Sequence, residues 1–254
     1  MTTSRNFHAE LQALTARLAG AGFVSAAEEA IELLAAAGGS PDVLERLVQR
    51  RLTGEPLAWI TGIAVFCGLV VRVAPGVYVP RRQSEPLAQR AAARLPAGGL
   101  AIDVCTGSGA LARTLATFVP GARVVATDVD ERAVACARSN GVDARCGDLF
   151  APVAGLGADV VVGVVPYVPT PELPFLQRDT FTHERTLAYD GGPDGTALLQ
   201  RVLDEAPLRA GGTIHLELGG DQADALDLGA YRDVVVHRDD EGDPRAIEAV
   251  RRSR

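Results

Sequence analysis

Short apolar runs rich in β-branched residues alternate with helical stretches from residue 99 to the end of the chain. Strands are predicted at residues 100–105, 123–127, 142–146, 158–164, 212–217 and 231–237. Helices are predicted to begin at Gly109, after the first of these strands, and at Glu131, after the second. Strands that are joined through helices form parallel sheets covered on both faces. The pattern therefore predicts an α/β fold with a doubly wound, mostly parallel sheet, in which a last strand at 244–250 pairs antiparallel with its predecessor.

The first 80 residues lack this alternation. Three helices are predicted there: one that stops at Gly20, one that starts with a capping box of Ser25 and Glu28, and one that starts at Ser40 and Pro41. Residues 57–79 are β-like and are predicted to form a hairpin that turns at Pro75 and Gly76. We therefore divide the chain into a small helical module (1–55), a β-hairpin linker (56–80) and the α/β domain (81–254).

Composition excludes several chemistries. The chain has no lysine, which rules out Schiff-base lysines and the lysine of phosphate-binding loops. Its net charge of −7 argues against nucleic acid as a partner, and no stretch is apolar enough to span a membrane. The cysteines show no paired spacing and the histidines no cluster, so neither a disulfide framework nor a metal site is predicted. A cytoplasmic protein is expected, and nothing predicts its oligomeric state.

The first strand of the α/β domain ends in a glycine loop that contains Asp103, Thr106, Gly107 and Gly109. Ligands of such sheets bind at the carboxyl ends of the strands, where glycine lets the backbone approach closely. The two glycines alone also fit a dinucleotide fingerprint. However, a carboxylate beside a pyrophosphate would be repelled, whereas a carboxylate beside an ammonium group is favourable. Asp103 therefore favours S-adenosylmethionine, which carries an amino group and a sulfonium and no phosphate.

Two more acids follow the next two strands. Asp128, followed by Val129, can accept both hydrogen bonds of a ribose diol, and Asp148 can accept from an adenine amino group that Leu149 or Phe150 covers. For each acid the competing interpretation is a helix cap or a solvated strand end. The three cofactor segments contain no arginine apart from Arg113, so we expect a carboxylate-lined site without a phosphate anchor.

The chain resembles the class I S-adenosylmethionine-dependent methyltransferases, and within them the protein glutamine N5-methyltransferases that modify translation release factors. The similar segments, besides the glycine loop, are 54–62, 66–69, 79–85, 191–195 and 211–217 with Gln222. The resemblance implies a class I methyltransferase fold, S-adenosylmethionine as cofactor and a helical module that recognises the substrate. It also implies a lid on the cofactor side at Arg81, Arg82 and 84–85, for which the alternative is a helix start capped by Ser84.

The family's Asn-Pro-Pro-Tyr motif, whose Asn side chain and first-proline carbonyl receive the target amide's hydrogens, is changed here. Val164 stands at the Asn position, next to the cofactor, and is followed by Val165, Pro166 and Tyr167. The resemblance implies that the Val165 carbonyl is an acceptor and that Tyr167 lines the acceptor pocket. His183 and Glu184 are an acid/base pair near the acceptor or, alternatively, two solvated loop residues.

Valine supplies no side-chain acceptor, so three hypotheses remain open from the residues. The first is an N-methyltransferase that acts on a protein. The second is a methyltransferase for a small molecule, and the third is a non-catalytic cofactor-binding protein. Fold alone does not choose among them.

Overall fold

The computed structural model describes residues 2–175 and 183–253. Its helices are α1 Thr2–Gly20, α2 Ala26–Ala37, α3 Pro41–Leu52, α4 Leu57–Thr61, α5 Glu85–Arg94, α6 Ala110–Phe118, α7 Glu131–Ser139, α8 Ala197–Glu205 and α9 Gln222–Ala225. Its strands are β1 Ile63–Phe66, β2 Leu69–Arg72, β3 Leu100–Val104, β4 Arg123–Asp128, β5 Asp143–Cys146, β6 Ala158–Gly163, β7 Leu208–Glu217, β8 Tyr231–Arg238 and β9 Pro244–Arg251. The strands of the α/β domain are those that the sequence predicts, within a few residues at each end.

A seven-stranded sheet in the order β5-β4-β3-β6-β7-β9-β8 forms the centre of the molecule. Strands β3 to β7 are parallel, and β9 is antiparallel to both of its neighbours, β7 and β8. The predicted doubly wound sheet and its antiparallel last pair are therefore confirmed. The strand order reverses between β3 and β6, which leaves a crevice at their carboxyl ends.

The sheet is buried on both faces. Neighbouring residues of a strand point to opposite faces, so Ile102 of β3 packs into one apolar cluster and Ala101 into another. The first cluster includes Leu199 and Leu203 of α8, and the second includes Ala88 of α5 and Leu111 of α6. This double burial explains the continuous apolar runs from which the sheet could be predicted.

The amino-terminal helices have an apolar core of their own, which includes Leu18, Leu33, Val48 and Ile60. Ile60 belongs to α4, a short helix within the range that the sequence assigned to the hairpin linker. The Ser40 hydroxyl accepts a hydrogen bond from the Val43 N–H and caps α3. Ser25 makes no such bond at the start of α2, so the predicted capping box is wrong there.

A hairpin lies within the predicted range 57–79, but its second strand and its turn differ from the prediction. Strands β1 and β2 are joined at Cys67 and Gly68, which both have positive φ. A two-residue hairpin turn with positive φ at both positions matches the twist of the strands. Pro75 and Gly76 lie in the irregular segment that follows. No helix in the described part of the chain is long and apolar enough to cross a membrane.

Candidate active site

The glycine loop after β3 is held in an unusual backbone conformation. Cys105, Gly107 and Gly109 all have positive φ, and the Thr106 N–H donates to the Thr127 carbonyl of β4 at 3.0 Å. A Cβ on Gly109 would lie 3.0 Å from the Cβ of Ala137, so this glycine lets α6 approach α7. A Cβ on Gly107 would meet nothing nearer than 3.7 Å, so this glycine is needed for its conformation.

Asp128 links this loop to the end of β4. One carboxylate oxygen accepts the Gly107 N–H at 2.9 Å, and the other accepts the Asp130 N–H at 2.9 Å. Burial raises the pKa of Asp128, whereas these backbone donors lower it. Each carboxylate oxygen can accept a second hydrogen bond, so Asp128 fixes the loop and still has acceptor capacity for a ligand.

The carboxyl ends of β3, β4, β5 and β6 surround a cavity of about 320 Å³, within the size range of small-molecule sites. Six of the predicted cofactor residues line this main cavity: Gly107, Asp128, Val129, Asp148, Leu149 and Val164. Phe150, the alternative to Leu149 as the cover of an adenine ring, is buried in the core instead.

Asp103 and Thr106 line a smaller cavity, of about 20 Å³, beside the main one. The Asp103 carboxylate accepts hydrogen bonds from the Thr106 hydroxyl at 2.5 Å and from the Ala112 N–H at 3.1 Å. Its complete burial raises its pKa to about 7. A cationic group in this cavity would favour its charged form. Gly109 lines neither cavity and acts through packing.

Two arginines from outside the three cofactor segments also line the main cavity. Arg185 pairs with Asp130 at 2.7 Å, and Arg201 pairs with Asp148 at 2.8 Å. Both arginines come from segments far along the chain from the three acids, so their approach depends on the tertiary fold. Because each guanidinium already has a carboxylate partner, neither is a dedicated phosphate anchor.

The acceptor loop, residues 164–168, follows β6. Val164 and Pro166 line the main cavity, while Val165 is buried beneath them. Tyr167 lines a separate cleft on the other side of the loop, and its hydroxyl donates to the buried carboxylate of Glu217 at 2.8 Å. The Ser84 hydroxyl also donates to Glu217. Ser84 therefore does not cap α5, as the alternative interpretation of this segment supposed.

His183 and Glu184, predicted as an acid/base pair or as solvated loop residues, are each held by contacts within the protein. The Glu184 carboxylate is buried, pairs with Arg81 at 2.8 Å and accepts the Val79 N–H at 3.1 Å. His183 packs edge-on against Trp59, with ring centroids 6.5 Å apart. Solvation is therefore wrong for Glu184, which joins the segment after the hairpin to the α/β domain. His183 instead contacts α4, which lies before the hairpin.

The residues that line the two cavities fit S-adenosylmethionine. Asp128 offers acceptor oxygens to a diol, Leu149 and Val129 offer apolar cover, and Asp103 offers a carboxylate to an ammonium group. Within the described residues no His/Cys/Asp/Glu cluster could hold a metal ion.

Comparisons with known proteins agree with this site. The family profile described as the methyltransferase small domain matches residues 71–154, which include the glycine loop and Asp128. A crystal structure of a methyltransferase from Pyrococcus furiosus superimposes with a TM-score of 0.54 at 20% identity, over 74% of this chain and 91% of that one, and so shares the fold.

The curated relatives extend the match over nearly the whole chain. The release factor glutamine methyltransferase of Moorella thermoacetica is 40% identical over 222 residues, 81% of this chain and 78% of its own length. The one from Mycolicibacterium smegmatis is 34% identical over 96% of this chain and 97% of its own length. The chain belongs to the release factor glutamine methyltransferase family. This family member is an S-adenosylmethionine-dependent methyltransferase, and S-adenosylmethionine is its methyl donor.

Several residues of the methyltransferase site could not be found from the sequence. Arg185, Arg201, Tyr78 and Glu217 lie outside the glycine loop and the three strand ends, and only the fold brings them to the site. A weak signal existed for Glu217, because an acid at the end of β7 fits the same rule as the other acids. The individual roles of the predicted site residues stay predictions.

Proposed function

We propose that this methyltransferase modifies the side-chain nitrogen of a glutamine in a translation release factor. One relative that is named for this activity matches over 97% of its own length. The proposal therefore extends to the amino-terminal helices as well as to the α/β domain. The alternatives of a small-molecule acceptor and of a non-catalytic binding protein become outcomes of the test.

The position of the acceptor loop carries the proposal. The loop leaves β6 at the strand-order reversal, beside the main cavity, and within the described residues no hydrogen bond is accepted by the Val165 carbonyl. An amide nitrogen is a poor nucleophile because its lone pair is delocalised. A fixed carbonyl that accepts one of its hydrogens orients the nitrogen for attack and favours the developing charge.

The chain's own residues have defined tasks in this reaction. S-adenosylmethionine supplies an electrophilic methyl group: the nitrogen lone pair forms the new N–C bond, the C–S electron pair returns to sulfur, and the N–H proton leaves to solvent. Asp128 and Asp103 would hold the donor at its two ends. The Val165 carbonyl would hold the amide, and Pro166 and Val164 would exclude water from the reacting atoms.

The fixed shape of the acceptor loop supports this role. Its Tyr167 carbonyl accepts from Gln222 Nε2 at 2.6 Å, and its Val168 carbonyl accepts from the Gly191 N–H at 2.9 Å. Gly191 and Gly195 pack directly on the loop backbone. A loop that is held from two sides keeps its carbonyl groups in a fixed orientation during the reaction.

The helical module (1–55) is the proposed recognition element for the release factor. It has an apolar core that extends to Ile60 of α4, and the Trp59 indole N–H of the same helix donates to the Val77 carbonyl within the linker at 2.9 Å. A module that keeps its own core can change its surface for a partner without disturbing the cofactor site.

Label transfer tests the proposal. The full-length protein is incubated with tritium-labelled S-adenosylmethionine and purified release factor, and the mixture is passed through a size filter. Retained label that requires both proteins supports the proposal. Label that appears in the filtrate only when cell metabolites are added points to a small molecule, and calorimetric donor binding without any transfer points to the binding protein. Asp128→Ala serves as the inactive control.

A further inference from the structure

Three side chains form the neck between the two cavities of the site. Tyr78, Cys105 and Val164 line both the main cavity and the small cavity that contains Asp103. A donor that is held at Asp128 at one end and at Asp103 at the other must place its reacting centre at this neck. The acceptor nitrogen must therefore meet these same three side chains.

Only one of the three offers a strong hydrogen-bonding group. Val164 has no polar atom, and Cys105 offers a thiol that is a weak donor and a weak acceptor. Burial and the nearby aspartates raise the pKa of the Cys105 thiol, so it stays uncharged. Tyr78 presents a phenol, whose oxygen accepts hydrogen bonds.

The Tyr78 ring is held firmly at this position. Tyr189 packs edge-on against it at 5.5 Å between ring centroids, and the Arg81 guanidinium lies 5.4 Å from its centre. Arg81 also hydrogen-bonds to the Tyr78 phenol oxygen, which has a second lone pair for a substrate N–H. Arg81 is itself anchored by Glu184 at 2.8 Å. Burial and the carboxylates of Glu217 and Glu184 raise the Tyr78 pKa, against the effect of Arg81. The phenol therefore stays protonated at neutral pH.

We propose that Tyr78 orients the target amide, its phenol oxygen accepting one N–H while the Val165 carbonyl accepts the other. This inference rests on the proposed function, since it assigns the second acceptor that an amide nitrogen with two hydrogens needs. Val164 cannot supply it, and within the described residues the neck offers no other strong side-chain acceptor. Tyr78 is then a residue that contacts substrate.

The test is a pair of substitutions on opposite sides of the neck. Tyr78→Phe keeps the ring and removes the oxygen, and we expect kcat for release factor methylation to fall about 100-fold, as for other positioned hydrogen-bonding groups. Val164→Asn places an amide oxygen at the same neck. We expect kcat of the double variant to be at least about 10-fold higher than that of Tyr78→Phe alone. The affinity for S-adenosylmethionine, measured by calorimetry, should stay unchanged in Tyr78→Phe and in the double variant.

A matched control separates this role from a structural one. Tyr189→Phe removes a phenol oxygen that also contacts Arg81, at 3.1 Å, but Tyr189 lines neither cavity. It should change kcat by no more than about twofold. The inference is overturned if Tyr78→Phe keeps the wild-type kcat, or if it lowers donor affinity and Val164→Asn restores nothing. Failure of the wild-type protein to methylate the release factor would refute the proposed function instead.

Discussion

Asp128 holds the glycine loop and the cofactor site with one carboxylate. Its two oxygens accept the Gly107 and Asp130 N–H groups, and Asp128 also lines the main cavity. Asp128→Asn replaces one acceptor oxygen by an amide donor, which cannot accept a backbone N–H. We expect the affinity for S-adenosylmethionine, measured by calorimetry, to fall by about 10- to 100-fold, since hydrogen bonds to charged groups contribute about 1.5–3 kcal/mol.

Asp148→Asn is the matched control for this substitution. Asp148 lies at the next strand end, but its side chain is 63% exposed and already pairs with Arg201. Asparagine keeps one side-chain oxygen that can accept from an adenine amino group, and the exposed ion pair with Arg201 contributes little, so the affinity for S-adenosylmethionine should change by about twofold at most. Equal losses for the two variants would contradict the central role of Asp128.

At the residue scale, the acids of the site could be predicted and their partners could not. Asp103 lies near the end of the first predicted strand, Asp128 and Asp148 follow the next two, and the carboxyl ends of parallel strands meet at one edge of the sheet. Arg185 and Arg201 reach the same edge from loops and a helix whose packing depends on the whole fold. The three cofactor segments hold no arginine apart from Arg113, and Arg185 and Arg201 come from outside them. Because both are paired with carboxylates, the prediction that the site lacks a phosphate anchor stands as a prediction.

The turn that contains Gly191 and Gly195 supports the acceptor loop from behind. A Cβ on Gly195 would collide with the Tyr167 carbonyl and with Gln222 Nε2, and Gly195 has a φ of +75°. Gly195→Ala should therefore displace the loop and lower kcat by at least about 10-fold. Donor affinity should stay near the wild-type value, because this turn does not line the main cavity.

Gly192→Ala serves as its control. Gly192 also has positive φ, but its nearest neighbour for a Cβ is the Cβ of Ala197 at 3.9 Å. This variant carries the backbone strain, a cost of about 1–3 kcal/mol, without the collision. If it lowers kcat as much as Gly195→Ala does, strain of the turn rather than displacement of the loop is the cause.

The β7–β9 pair contains a buried histidine that makes stability depend on pH. Burial lowers the pKa of His215 to about 4, in an environment of Glu248, Arg94, His237 and Arg90. Its Nε2 lies 3.1 Å from the Thr213 hydroxyl. Because the unfolded chain binds this proton at its ordinary pKa and the folded chain resists it, stability should fall as the pH drops from about 6.5 toward 4.

His215→Gln removes the titrating group and keeps a hydrogen-bonding side chain. Urea unfolding at pH 7 and pH 5 should show a loss on the order of 1–3 kcal/mol for the wild type and a smaller loss for the variant. His8→Gln, in the exposed part of α1, should behave as the wild type. The same loss in all three proteins would assign the pH dependence to the carboxylates.

Among the elements, the sequence predicts helices correctly where the apolar periodicity covers several turns, and strands where a continuous apolar run is long. The hairpin turn was missed because Cys67 and Gly68 carry a weaker turn signal than Pro75 and Gly76. The Glu85 carboxylate accepts the Cys67 N–H at 3.1 Å, and this long-range bond supports the turn. The short helix α4 was missed for a similar reason, since packing of Trp59 and Ile60 rather than propensity forms it.

At the scale of the whole molecule, the sheet topology follows from the alternation of strands and helices and was predicted correctly. The attachment of the amino-terminal part was not, because it depends on single contacts such as Arg81 with Glu184 and Trp59 with Val77. Both bonds join the segment after the hairpin to another part of the chain. The division into recognition module, linker and cofactor domain stays a prediction.

We propose that this site methylates glutamine although valine stands at position 164, because its hydrogen-bonding groups come from other residues. The most direct test is tandem mass spectrometry of release factor that has been incubated with the full-length enzyme and S-adenosylmethionine. We expect the mass of one methyl group on the side-chain nitrogen of a single glutamine, and no such mass with the Asp128→Ala variant. A methyl group on any other residue type, or none on a release factor in the presence of donor-bound enzyme, would contradict this proposal.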